Sequence, residues 1–297
     1  MRDAAAETIC ARLCLLTRAA WRKGLPKPLD RTQVRNLIDR GALHGLVLRE
    51  GTSVPPMQLE QARALLTRAS EIYDLQKSYS AQGYRAMLPE DRNWPTPLLA
   101  LGEQMPLFLF ALGNAGLLHG RHIAVAGSRR IQDSTRDEAR RVGQALAREG
   151  LTMVCGGAEG VDSAAQEGLL SAGGKLILVP SIPSEEQLEK PLLQKALHDG
   201  RLLMLCDTLP DDVFSAERAL GRNHIIYALG SAALVLAARK GMGGSWKGAR
   251  ASLQNGYAPV FVPEESEMKG IVALRELGAR TFSLDAEKTL SEQMLLL

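Results

Sequence analysis

Three short loops combine glycine, serine and a cation, the residue types that hold phosphate. They are Gly127-Ser128-Arg129-Arg130, Gly156-Gly157-Ala158-Glu159-Gly160-Val161-Asp162 and Gly241-Met242-Gly243-Gly244-Ser245-Trp246-Lys247-Gly248. Glycine lets main-chain N–H groups approach an anion, and a helix starting behind the loop adds positive potential. Arg129 brings a planar fork that matches phosphate oxygens. Lys247 follows Gly244 and Ser245, where an anion would sit. A Gly-Gly-x-x-Gly turn alone is a weak signal, but three such loops at corresponding strand ends are far more specific.

Other candidates lie nearby. Arg222 and Asn223 open the helical face carrying Ile225 and Ile226, and Asn223 can hydrogen-bond a base or a sugar. Trp246 is the candidate for stacking on a base, worth roughly 1–3 kcal/mol, with core packing as the alternative. Lys175 starts a strand rather than ending one, and is kept as a weaker phosphate contact. Asp162 is read as the cap of the helix that follows it. Glu159 repels phosphate and suits a ribose hydroxyl or a base edge better.

Several chemistries find little support. No serine sits in a Gly-x-Ser-x-Gly elbow, so a nucleophilic triad is not expected. Cys10, Cys14, Cys155 and Cys206 form no Cys-x-x-Cys pair and have no histidine at zinc-ligand spacing. They are read as buried thiols, with no metal and no cofactor.

The elements that would position the loops alternate between strand and helix from residue 121 onwards. Short apolar strands are predicted over 122–126, 151–155, 175–179, 202–205, 232–237 and 259–262. Helices are predicted over 134–149, 162–172, 216–229 and 245–255. Strands this apolar are buried on both faces, which implies a parallel sheet wrapped by helices. The fold class is therefore α/β, a doubly wound, mostly parallel Rossmann-like sheet, and ligands bind beyond the carboxyl ends of its strands. All three loops lie on that edge.

The first part of the chain reads differently. Helices are predicted over 4–23, from a cap at Asp30 or Thr32 to about Arg40, and over 56–78. This gives a small helical N-terminal domain over 1–85, followed by the sheet domain over 86–297, with the apolar run 107–112 as a preceding strand.

The 297 residues are 45% hydrophobic and 23% charged, ordinary for a soluble globular chain. The net charge of +3 is uneven: residues 1–85 carry +6 and the rest −3. A basic first third favours nucleic acid, or is simply a solvated helical surface. Aromatics make up only 4%, which excludes a large stacking platform. No run of about 18 apolar residues exists, so no membrane span is expected. Arg12 and Arg18 interrupt any leader-like apolar core near the start. Free thiols fit a reducing cytoplasm.

Taken together, Gly127-Ser128-Arg129, the Gly156–Asp162 loop and Arg222-Asn223-His224-Ile225-Ile226 resemble the DprA/Smf DNA-processing family in order and spacing. Gly244-Ser245-Trp246-Lys247-Gly248-Ala249, Val260-Phe261-Val262-Pro263 and the stretch from Trp94-Pro95 to Gly113 extend the likeness to about residues 90–280. There are departures. Gln166 stands near the family's usual histidine, His224 replaces an arginine, and Cys206-Asp207 replaces Ser-Glu. A Tyr-Pro after the third strand is absent, and no room is left for a C-terminal winged helix. The resemblance implies a non-catalytic protein of DNA processing and recombination that holds single-stranded DNA. It also implies a homodimer, and a RecA-type recombinase as partner in transformation. The implied contacts are Gly127, Ser128, Arg129, Gly156, Gly157, Lys175, Arg222, Asn223, Gly244, Ser245 and Lys247. Two alternatives stay open. One is a nucleotide-ligand sensor, for example in phage defence. The other is a phosphoribohydrolase similar to the LONELY GUY enzymes, with Glu167 as the acid on the helix after the loop.

Overall fold

The computed structural model describes residues 4–17, 24–181, 188–210 and 216–295. It separates into two compact units. The first comprises Met1–Trp94 together with Pro106–Ala111 and Asp207–Leu209. The second holds the remainder.

In the first unit, α1 (Ala4–Leu16) contacts α2 (Arg31–Asp39), α3 (Pro56–Leu66) and α4 (Ala69–Ala81). Its middle, Ile9 to Leu15, is buried all round. The predicted continuation over 18–23 lies outside the described residues. Asp30 caps α2 in a reciprocal box: its carboxylate accepts from Gln33 N at 2.8 Å, and Gln33 Oε1 accepts from Asp30 N. Two short strands, β1 (Leu43–His44) and β2 (Val47–Leu48), form a small antiparallel pair.

The single helix predicted over 56–78 is instead two helices, α3 and α4, separated at Thr67 and Arg68. The reason is the Arg68 side chain, which turns inward and is almost fully buried. Its Nη2 donates to the carbonyls of Cys14 (2.6 Å) and Thr17 (3.0 Å). Those oxygens lie at the end of α1, where helical carbonyls lose their own partners. A second buried arginine, Arg12, donates to Leu107 O at 2.6 Å and pairs with Glu90. The unit is completed by β3 (Arg85–Met87), which pairs antiparallel with β4 (Leu109–Gly113).

The second unit is built on seven parallel strands. They are β5 (His122–Gly127), β6 (Thr152–Cys155), β7 (Lys175–Leu178), β8 (Leu202–Cys206), β9 (Ala232–Ala237), β10 (Val260–Pro263) and β11 (Arg280–Phe282). Their order is β11-β10-β9-β5-β6-β7-β8. Six strands are predicted from the sequence, and β11 is the addition. Its Arg280 and Thr281 are exposed, so it lacks the apolar run that marks the others. The helices are α5 (Asp133–Arg148), α6 (Val161–Ser171), α7 (Pro191–His198), α8 (Ala216–Leu229), α9 (Gly243–Asn255), α10 (Lys269–Glu276) and α11 (Leu290–Leu295). Helix α5 packs on α6, and α8 on α9.

From β5 the chain steps outward through β6, β7 and β8, then returns to lay β9 on the other side of β5. The strand order therefore reverses between β5 and β9. A crevice opens at such a point outside the carboxyl ends of the strands.

Candidate nucleic-acid interface

The carboxyl ends of β5, β6 and β9 are tied together by close backbone contacts. Ser128 N donates to Ala237 O at 2.9 Å and Ser128 Oγ to the same oxygen at 3.3 Å, which locks the β5 loop onto the end of β9. Val161 N donates to Ser128 O at 3.2 Å, so the start of α6 is fixed to the same loop. A Cβ on Gly127 would lie 2.3 Å from Val161 Cγ2. Gly160, at φ +88°, passes so near Ser128 O and Arg129 O that a Cβ would come within 2.3 and 2.5 Å of them. These two glycines allow the β5 and β6 loops to interlock. The interlocking leaves Arg129 exposed on top.

Beneath this surface lies a buried charged group. Asp162 does not cap its own helix, whose N-cap is Gly160. Its Oδ2 reaches back to accept from Gly156 N (3.1 Å) and Ala158 N (3.4 Å), pinning the loop before it. Burial pushes the Asp162 carboxyl up to about 6, against the opposing pull of Arg222, the Ala158 and Gly156 N–H groups and Arg129. The neighbouring Cys155 thiol is pushed up to about 12, chiefly by burial and then by the Asp162 charge. Gln166 donates to Cys155 Sγ at 3.3 Å.

Arg222 belongs to this buried layer. It is only 6% exposed, and its Nη1 donates to Val179 O at 2.6 Å, just past the end of β7. A guanidinium held this way braces the strand ends and is not open to a passing phosphate. Its neighbour Asn223 is half-buried and donates from Nδ2 to Gly244 O at 3.3 Å. Tyr227 Oη donates to Ser245 O at 3.5 Å, and a Cβ on Gly248 would stand 2.7 Å from the Tyr227 ring. Helix α8 thus holds the start of α9, with Lys247 exposed as the fifth residue of that helix.

The structure brings Gly127, Ser128, Arg129, Gly156, Gly157, Arg222, Asn223, Gly244, Ser245 and Lys247 to the carboxyl edge. It does not bring Lys175 there, because that residue begins β7 at the opposite edge. Trp246 is 7% exposed and packs inward from α9, so it offers no face to a base. Two cations on the same edge, Arg239 and Lys240, lie one residue past the end of β9 and are exposed. They immediately precede the Gly241–Gly248 loop, outside the segment that the glycine pattern picked out.

No helix among the described residues is long and apolar enough to cross a membrane.

The sequence model of the family described as DNA recombination-mediator protein A matches residues 85–293. Among solved structures, the chain is similar to DNA processing protein A from Streptococcus pneumoniae, with a TM-score of 0.71 and 23% identity over 95% of each chain. It is also similar to DNA processing protein A from Helicobacter pylori, whose structure is described for its single-stranded DNA binding mode. That likeness has a TM-score of 0.57 and 24% identity, over 68% of this chain and 92% of the other. At these identities the likeness is one of fold. No curated protein sequence matches the chain.

Proposed function

The chain belongs to the DNA recombination-mediator protein A family, and from that premise we propose that it holds single-stranded DNA along the carboxyl edge of its sheet, without chemistry of its own. The observation that carries this reading is the interlocked pair of loops after β5 and β6. They present exposed Arg129 above glycine backbone, with exposed Lys247 at the start of α9. An exposed guanidinium and an exposed ammonium suit a phosphodiester chain. The relative from H. pylori, described as binding single-stranded DNA, supports the same choice of ligand.

In this reading Arg129 and Lys247 touch phosphate. Gly127, Ser128, Gly157, Gly244 and Ser245 supply close backbone, Gly156 lies buried under Arg222, and Asn223 stands at the seam between α8 and α9. Arg222 acts as a brace, and Lys175 and Trp246 drop out of the contact set. The family premise extends the proposal to a homodimer and to a RecA-type recombinase that receives the strand.

Hydrolysis of nucleotides is disfavoured by the position of Glu167. Its Oε2 pairs with Arg140 at 3.1 Å across the α5–α6 seam, away from the glycine loops. The proposal is tested by anisotropy titration of a labelled oligonucleotide, single-stranded against duplex, at low salt. Preference for the single strand supports it. Equal affinity, or no binding, overturns it.

A further inference from the structure

The crevice where the strand order reverses is a cavity of about 670 Å³. That is within the range of small-ligand sites. It lies between the loop after β5 and the end of β9, and is closed on a third side by the start of α10. Four cations line it: Arg130, Arg239, Lys240 and Lys269. No carboxylate is among its lining residues. Its apolar wall includes Ile131 and Met268, and Met268 is 36% exposed. None of these six residues is among the contacts assigned above to the strand.

The cations are held by backbone geometry. Arg239 and Met242 form an antiparallel bridge, with Met242 N donating to Arg239 O at 3.1 Å. Gly241 takes φ +75° within that turn, which sets Lys240 at its tip. On the other side, a Cβ on Gly270 would stand 1.9 Å from Ala238 O. Only glycine lets α10 begin this close to the end of β9, and that closeness brings Lys269 beside Arg239. The floor is fixed by the Ser128 contacts to Ala237 O. Four like charges facing one cavity repel one another and attract a polyanion or a phosphate group.

We propose that this cavity takes one nucleotide unit, with its phosphate against Arg130, Arg239, Lys240 and Lys269 and its base against Met268 and Ile131. The inference rests on the reading of the carboxyl edge as a nucleic-acid surface, and adds a pocket whose lining does not include Asn223. A phosphate with an attached base can come from the strand itself or from a free nucleotide.

The full chain with ¹³C-methyl methionine separates these cases. The Met268 signal is assigned by Met268→Leu, then followed on adding a deoxyadenosine oligomer or dAMP. A base on Met268 moves this signal through its ring current. A movement is expected with the oligomer if the strand is the source, and with dAMP alone if a free nucleotide is. The movement should be lost in Arg239→Ala/Lys240→Ala, with oligomer affinity at low salt falling on the order of tenfold. It should persist in Arg121→Ala/Arg280→Ala, which removes equal charge at the amino ends of β5 and β11. If the wild type binds the oligomer while Met268 stays still and the first double variant binds as tightly, the pocket is refuted and the strand reading stands. If the oligomer does not bind but dAMP moves Met268, the strand reading falls and the pocket stands. If neither binds, both fall.

Discussion

The guanidinium of Arg222 crosses the backbone of Gly156 so closely that a Cβ there would stand 1.6 Å from Nη1. The two residues are matched across 66 positions of sequence, and Gly156 is glycine because Arg222 needs the space. The arginine cannot simply move aside, since Nη1 is bonded to Val179 O. Gly156→Ala should therefore destabilise the protein by about 1–3 kcal/mol, as overpacking does. A urea midpoint equal to that of the wild type would show that Arg222 is not fixed as described.

The buried carboxyl of Asp162 gives the protein a pH signature. Its folded value of about 6 lies above the ordinary aspartate value near 4. Between those two values the folded state keeps a proton that the unfolded chain has lost. The contribution of this group to stability is thus greatest below about pH 4, falls as pH rises to about 6, and levels off above that. Asp162→Asn removes the titrating group and should flatten that slope, while its amide oxygen can still accept from Gly156 N and Ala158 N and keep the loop in place. Denaturant midpoints across this range check it. An unchanged slope in the variant would assign the effect to other groups.

Adjacent residues on α9 should behave oppositely. Trp246→Ala removes a buried ring and should cost about 3–5 kcal/mol. Lys247→Ala should change stability by no more than about 0.5 kcal/mol while weakening oligonucleotide binding. Thermal melting and anisotropy on the same samples check both. A sharp loss of stability in Lys247→Ala, with affinity per folded molecule unchanged, would make that lysine structural.

Glu167→Ala breaks a half-exposed ion pair and should cost less than about 1 kcal/mol. A panel of nucleoside monophosphates should yield no free base with either protein. Base release by the wild type that vanishes in the variant would turn the edge into a hydrolase site.

Much of the sheet was legible because its strands are apolar without interruption. Ala232–Ala237 is buried at every position, and a run of that length between helical patterns has few other readings. The carboxyl-edge position of Gly127 and Gly156 followed from the same pattern, since each closes or follows such a run, and Gly244 lies in the segment that the run Ala232–Ala237 leads into. The break between α3 and α4 was hidden, because Thr67 and Arg68 carry neither glycine nor proline. Its cause is a tertiary contact to the end of α1. Arg222 was equally opaque: an arginine in the middle of a helix reads as a surface cation, and only the packed structure shows its bond to Val179. The place of Lys175 at the first position of its strand is visible in the sequence and argues against a role at the carboxyl edge. The cation turn at Arg239-Lys240 is not legible in the sequence, because no single local motif marks a pocket assembled from three distant segments.

The most direct test of the central claim is the salt dependence of single-stranded oligonucleotide binding by the wild type and by Arg129→Ala/Lys247→Ala. Each phosphate neutralised on a single strand contributes about 0.7 to the slope of log affinity against log salt. The account predicts tight binding at low salt that weakens steeply with salt, duplex binding that is weaker throughout, and a slope shallower by about 1.4 in the double variant. A double variant whose fold is intact and whose affinity and slope match the wild type would contradict it.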